Sequence, residues 1–344
     1  MKFQTVWACA AFGLAVSGTH QAAAQAPKAN GETLKIQNYA GTTGNLHAVI
    51  AKEKGLCDKY NFKCELNTIN SGILGLQALV GKTIDVALTG TELTAATVNA
   101  GGAVAIVGMG LPANVLFLAA RADLPLPNKA KGYPAVMADF KGLKIGVPAR
   151  GAGAEIFMHA MLREGGLQPT DVTFVAVGGP ATAYTSLVVG KQVDAVMLFE
   201  PVKALCNHTK ACNIIVDLTQ GEGPQAVKDM NGAGVPLVMR REMIDANPAL
   251  VAAYQAAMKD AVTWANDPAN FEEVIKIYTP LISFGDMAGA DVVRRNWIKS
   301  IIPLYSKDLK VDRKAIAATL KFHLEAKTLE KPVTVEQVVS DKAP

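Results

Sequence analysis

Arg150 is the residue best placed to do chemistry. It stands in the loop Pro148-Ala149-Arg150-Gly151-Ala152-Gly153-Ala154, between two patterned segments. Residues 143–147 form a short apolar run suited to a buried strand. After the loop, Ala154, Phe157, Met158, Met161 and Leu162 recur at helical spacing until Gly165-Gly166. Proline and glycine break the strand, so the loop sits at a helix N-terminus. Free N–H groups and the positive end of the helix dipole favour an anion there. Arg150 adds a full positive charge, and the small residues Gly151, Ala152, Gly153 and Ala154 leave room for an organic body. The plainer alternative is a tight strand-to-helix turn that binds nothing.

Small polar residues follow the other apolar runs as well. Tyr39, Gly41, Thr42, Thr43 and Asn45 lie between a first strand and a helix over 46–54. Ser71 follows a second strand at 62–67, and Thr89, Gly90 and Thr91 follow a third. Gly179 and Glu200 follow strands later in the chain. Thr43 or Asn45 also suits a helix cap. In open parallel sheets, ligands bind beyond the carboxyl ends of the strands. These residues, together with 150–154, form the candidate ligand-binding set. Glu200 points to a ligand that also carries an amine or hydroxyl, unless it only caps a helix.

Catalytic chemistry has less support. The chain has no Gly-x-Ser-x-Gly elbow, no His-Glu-x-x-His helix and no dense cysteine cluster. His47, His159, His208 and His323 each read as packed or surface residues. No catalytic residue, metal ligand or cofactor is assigned. Cys57 lies near Cys64, and Cys206 near Cys212. In an exported chain such local pairs suit disulfides. Each would close a short loop and contribute about 2–3 kcal/mol. His208, inside the second pair, makes a Cys/His metal site the rival reading, although zinc sites usually show tighter spacing.

The elements that position these residues occur twice. Leu34-Lys35-Ile36 resembles Leu143-Lys144-Ile145, and the word beginning Gly81-Lys82 and containing Asp85 resembles the one beginning Gly190-Lys191 and containing Asp194. Both offsets agree, since 143 − 34 and 190 − 81 are 109. Each copy reads strand, helix, strand, helix, strand, an alternation that implies parallel sheets covered by helices. Residues 103–108 read as a further strand, and 114–121 as an extended crossing to a second unit. Residues 122–134 carry three prolines and read as a linker. A short strand at 235–239 returns to the first unit. From 248 onward the pattern is helical, with helices near 288–300 and 313–326.

A chain of 344 residues suits two domains. Lys2, the apolar stretch 6–16 and Ala22-Ala23-Ala24 read as a secretory signal cut after Ala24. The apolar stretch is too short to span a membrane. The net charge of +4 falls to +3 once Lys2 is removed, and the charges are scattered. Nucleic-acid binding usually shows a concentrated basic face, so that class is set aside.

Two sequential α/β units, the Gly-Lys-x-x-Asp words, an export signal and a helical tail together resemble the periplasmic substrate-binding proteins of ABC importers, nitrate/sulfonate/taurine-type. The resemblance covers nearly the whole mature chain. It implies a two-lobed periplasmic-binding-protein fold (type II), each lobe a mostly parallel sheet flanked by helices, with a helical C-terminal region. The lobes are expected at 31–116 with 236–340, and at 117–235, after a signal peptide at 1–24. The resemblance further implies a two-strand hinge, one ligand in the cleft and an ABC permease at the inner membrane as partner. The helix N-termini, Arg150 and the small loop residues make that ligand a small organic anion, a carboxylate or sulfonate with room for an aromatic body. The mature protein is expected to be a periplasmic monomer. The family often places Ser or Thr where this chain has Gly151-Ala152-Gly153-Ala154, and an aromatic where it has Glu200. The alternatives are an enzyme on the same fold, resembling pyrimidine synthases of thiamine-precursor type or a deaminase, and a sensory partner that binds the same ligand. Mass spectrometry of periplasmic extract is expected to show both cysteine pairs oxidised. Four free thiols would contradict the pairing.

Overall fold

The structure is a computed structural model that describes residue 1, residues 26–285 and residues 287–344. The signal read at 1–24 falls, Met1 apart, outside the described residues. In the first unit, β1 (Thr33–Asn38), α1 (Leu46–Glu53), α2 (Leu56–Lys59), β2 (Lys63–Thr68), α3 (Gly72–Val80), β3 (Val86–Leu88), α4 (Thr91–Asn99) and β4 (Val104–Leu111) follow in order. The chain then crosses to β5 (Phe117–Arg121), β6 (Lys144–Val147), α5 (Gly153–Glu164), β7 (Thr173–Ala176), α6 (Pro180–Tyr184), β8 (Ala195–Leu198), α7 (Val202–Thr209), β9 (Cys212–Asp217) and α8 (Gln225–Lys228). It returns through β10 (Val235–Arg240) and ends in α9 (Arg241–Ala246), α10 (Pro248–Ala265), α11 (Phe271–Tyr278), α12 (Ala290–Ile301), α13 (Arg313–Glu325) and α14 (Val335–Val338).

The two sheets have one plan. The first has the order β2-β1-β3-β10-β4 and the second β7-β6-β8-β5-β9. In the first, β1 pairs in parallel with β2 and β3, while β10 runs antiparallel to both β3 and β4. In the second, β6 pairs in parallel with β7 and β8, while β5 runs antiparallel to β8 and β9. Four of the five strands in each sheet therefore run one way. The inserted fifth is the strand by which the chain has just arrived from the other sheet.

The repeated Asp words pin that arrangement. Asp85 accepts the Lys35 N–H at 2.9 Å, and Asp194 accepts the Lys144 N–H at the same distance. Each carboxylate also meets an arginine from the inserted strand. Arg240 Nη2 lies 2.8 Å from Asp85 and Arg121 Nη2 lies 3.2 Å from Asp194. Arg240 further donates to the carbonyls of Leu79 (3.0 Å) and Ile84 (2.5 Å). The word thus couples helix end, parallel pair and crossing strand.

Burial follows the strand pattern. Leu34 and Ile36 are fully buried while Thr33 and Lys35 face solvent. A first core joins them to α1 and to Tyr254, Met258 and Trp297 of the C-terminal helices. A second gathers Ile145, Val147, Met158 and Met161. Each fully buried Leu or Ile side chain contributes about 1.5–3 kcal/mol. Helix α13 stands between the lobes: Ala315, Ile316 and Leu320 pack with the β4 side, while Ala318 and Phe322 pack against the second core. Disulfides join Cys57 to Cys64 and Cys206 to Cys212. His208 Nε2 lies 3.0 Å from the Ala288 carbonyl.

Strand β9 begins at Cys212 in a stretch without alternation, which is why periodicity did not mark it. The second helix of the second copy begins at Pro180 and ends in a π-helical turn over Thr185–Val189.

Asp85→Ala and Asp194→Ala are each expected to lower stability by about 1.5–3 kcal/mol in urea unfolding, the range for hydrogen bonds to charged groups. A loss below about 0.5 kcal/mol would place these words among ordinary solvated surface residues.

Candidate functional site

The carboxyl ends of the parallel strands in both sheets open onto one cavity of about 490 Å³. That is within the usual range for a small-molecule site. The first lobe contributes Tyr39, Thr42, Thr43, Asn70, Ser71, Thr89, Gly90 and Glu92. The second contributes Ala152, Gly153, Ala154, Phe157, Gly179, Phe199, Glu200 and Lys203. Tyr305, after α12, closes one side.

The wall is held by a second layer. Gln37 interrupts the alternation of β1: it is polar yet fully buried. Its Nε2 donates to the carbonyls of Ile69 (2.9 Å) and Ser71 (3.1 Å), and its Oε1 accepts the Leu88 N–H at 3.1 Å. One amide therefore ties three strand ends together. Residue 75 must be glycine for this, because a Cβ there would collide with that amide. Tyr39 donates its hydroxyl to the Leu88 carbonyl at 2.8 Å, and burial raises its pKa. Tyr305 donates to the Thr43 carbonyl.

Of the residues expected at the site, Tyr39, Thr42, Thr43, Ser71, Thr89, Gly90, Ala152, Gly153, Ala154, Gly179 and Glu200 line the cavity. Some also do local work. Ser71 caps α3 by accepting the Leu74 N–H at 3.3 Å, and the Thr42 hydroxyl accepts the Gly44 N–H at 2.8 Å. Thr89 is buried and its hydroxyl has no partner.

Five expected residues do not reach the wall. Asn45 is buried, donates to the Gln37 carbonyl at 2.7 Å and caps α1. Thr91 is buried at the start of α4, and Gly41 occupies a left-handed turn with φ of 71°. Gly151 gives its N–H to Glu155 at 2.7 Å. Arg150 turns away from the cavity. Its Nε and Nη2 each lie 3.0 Å from a Glu155 oxygen, and Nη1 donates to the Phe174 carbonyl at 3.2 Å. Its charge is thus taken up by a carboxylate of the helix that follows it. Burial alone would raise the pKa of Glu155, but Arg150 and the Gly151 N–H outweigh it and hold the carboxyl below its ordinary value.

The charged groups on the wall are different ones. Glu92, in the first turn of α4, is half-buried, and desolvation pushes its carboxyl up to about 7. It reaches across to the second lobe: a Cβ on Gly153 would stand 2.9 Å from its Oε1. Glu200 accepts the Ala204 N–H at 3.0 Å, and burial raises its pKa. Lys203 Nζ lies 3.1 Å from both Asp217 Oδ2 and Thr219 Oγ1, and 5.5 Å from the Phe117 ring centre. Sequence reasoning missed Glu92 and Lys203. The available signal for Glu92 was an acidic residue directly after the Thr89-Gly90-Thr91 strand end. Among the described residues, no three His, Cys, Asp or Glu side chains gather closely enough to hold a metal ion.

The NMT1-like family's sequence model matches residues 28–279, most of the chain. The chain belongs to that family. A Brucella abortus protein named in general terms as a binding protein is 25% identical over 263 residues, covering 76% of this chain and 74% of its own. A structure from Bordetella bronchiseptica RB50 superposes with a TM-score of 0.69 at 25% identity, covering 90% of this chain and 93% of that one. The periplasmic aliphatic sulphonate-binding protein SsuA of Escherichia coli superposes with a TM-score of 0.69 at 19% identity, covering 89% and 91%. The periplasmic nitrate-binding protein NrtA of Synechocystis PCC 6803 gives 0.58 at 18%, covering 90% and 92%. This family member therefore has the two-lobed periplasmic-binding-protein fold.

Arg150→Ala is expected to leave solute affinity unchanged and to lower the melting temperature near neutral pH. A carboxyl whose folded pKa is depressed contributes stability above its unfolded pKa, and that contribution is lost as pH falls through the folded value. The gap between wild type and variant should therefore narrow in acid. A large loss of affinity in calorimetry would mean that Arg150 swings into the cavity.

Proposed function

We propose that this NMT1-like family member is the solute-binding component of an ABC import system. It would act in the periplasm as a monomer, after removal of its signal peptide, and deliver its ligand to an inner-membrane permease. The ligand is one small organic molecule held between a lobe of residues 31–116 with 236–340 and a lobe of residues 117–235. The observation that carries this reading is a single largely apolar cavity walled by strand ends of both sheets. Such a site is completed only when both lobes meet on one molecule.

An organic anion was the sequence-based expectation, and its main support was Arg150. With that guanidinium paired to Glu155, an acceptor group on the ligand is left with backbone N–H groups at the first turns of α3 and α5. The aromatic residues Tyr39, Phe157, Phe199 and Tyr305 suit an organic body. Binding is favoured over turnover because none of the described histidines lines the cavity. His47 is fully buried, and burial lowers its pKa to about 3, so it stays neutral.

The chain crosses between the sheets at 112–116 and again at 231–234, which are the natural hinge segments. Hinge closure is an established response of two-lobed binders. It requires a solute that binds the closed state better than the open one. A thermal-shift screen of small organic solutes should find one that stabilises the protein, by about 2.7 kcal/mol at a hundred times its dissociation constant. Small-angle scattering should then show a smaller radius of gyration with that solute. An unchanged radius with open lobes in both states would overturn the two-lobe clamp.

A further inference from the structure

We propose that Glu92, supported by Glu200, selects the solute: the cavity takes the ammonium or other N–H-donating head of a small organic amine and disfavours anions. This rests on the reading of the cavity as a solute site and deepens it.

The charge inventory of the wall is the first reason. Two carboxyl groups face the cavity, Glu92 from α4 and Glu200 from the loop between β8 and α7. The ammonium on the wall, Lys203, is already engaged by Asp217 and Thr219. Arg150 is engaged by Glu155, off the wall. Among the described residues Glu92 has no ion-pair partner. An entering anion would meet carboxylates and no uncommitted cation, whereas an entering cation would supply the charge that Glu92 lacks.

Geometry is the second reason. Glu92 belongs to the first lobe but its carboxyl stands against Gly153, where α5 of the second lobe begins. A head group held by Glu92 therefore sits at the junction of the lobes, so its capture and their closure become one event. The third reason is independent. Thr89 is only 2% exposed, lines the cavity and leaves its hydroxyl oxygen without a partner. A buried hydroxyl left unpaired is costly. It both donates and accepts, so it marks a place for a polar head group, an ammonium among them, without choosing the sign of its charge. The aromatic wall completes the match, because Tyr and Phe faces attract cations as well as apolar bodies. Charge-assisted bonds from N–H to carboxylate are about twice as strong as neutral ones. Burial also pushes the Glu92 carboxyl up to about 7, against the pull of the backbone N–H at its own helix start.

The test uses full-length mature protein and a matched probe set: benzylamine, benzyl alcohol, benzoate and benzenesulfonate. Benzylamine is expected to raise the melting temperature while benzoate and benzenesulfonate do not. In calorimetry, Glu92→Gln should weaken benzylamine binding about tenfold or more. On the wild type alone, amine affinity should fall as pH drops through about 7, where Glu92 takes up its proton. The neighbouring titratable groups are Tyr39, Glu200 and Lys203. Proton uptake by Glu200, also raised by burial, would act in the same direction. The pH series decides the matter even if the variant folds poorly. Binding of benzoate or benzenesulfonate that Glu92→Gln leaves unchanged or tightens overturns the selectivity but keeps the solute site. Amine binding indifferent to both the variant and pH overturns the role of Glu92. Failure of every probe to stabilise the protein overturns the solute-site reading as well.

Discussion

Each sheet depends on one strand that runs against its neighbours and on the ion pair that holds it. β10 enters the first sheet between β3 and β4, and β5 enters the second between β8 and β9. These are the strands that carry the chain across, so the contacts that seat them also set where the two lobes meet. Asp85 with Arg240 and Asp194 with Arg121 do this in both lobes. The same carboxylates accept N–H groups from the strand next to their own. Partial burial makes the pairs worth more than exposed ones, because solvent and salt screen them less.

Everything that faces the cavity follows from that seating. With the parallel strands aligned, their carboxyl ends and the following helix N-termini converge from two sides. Those N-termini are answered mainly by the protein's own groups: Ser71 on α3, Asn45 on α1, Glu155 near α5 and Glu200 on α7. Convergent dipoles therefore do not by themselves make an anion site. What decides is which charges remain uncommitted, and on the wall that charge is the carboxyl of Glu92.

The architecture was legible because periodicity and repetition are local. Short apolar runs, Gly-ended helices and two Asp words in one register place nearly every strand. The mostly parallel sense was also readable, although the position of β5 and β10 inside the sheets was not, since antiparallel insertion is a tertiary choice. The site was legible at the level of loops and illegible at the level of side-chain direction. Arg150 stands on the right loop, yet Glu155 and the Phe174 carbonyl turn it outward, and no motif encodes that competition. Glu92 follows a polar strand end directly, but its importance comes from Gly153, sixty-one residues later (153 − 92), which lies against it only in the fold. Gln37 was not readable, because the alternation Thr33-Leu34-Lys35-Ile36-Gln37 puts it in the polar register and only the fold buries it.

Closure cannot be a free rotation about the two crossing segments, because α13 touches both cores. Phe322 meets Phe157 edge-on with ring centres 5.9 Å apart, and Phe157 itself lines the cavity. Such an aromatic pair contributes about 0.5–1.5 kcal/mol beyond its buried area. That is small beside the total burial of either core, so the contact can shift without unfolding anything. It is also comparable with the few kcal/mol that separate open and closed states of two-state proteins. The side chain that would touch a solute is thus the one through which α13 senses the second lobe. A solute packing on Phe157 changes the strength of that contact and of the interlobe clamp together, which makes the C-terminal helix part of the binding equilibrium and more than a brace.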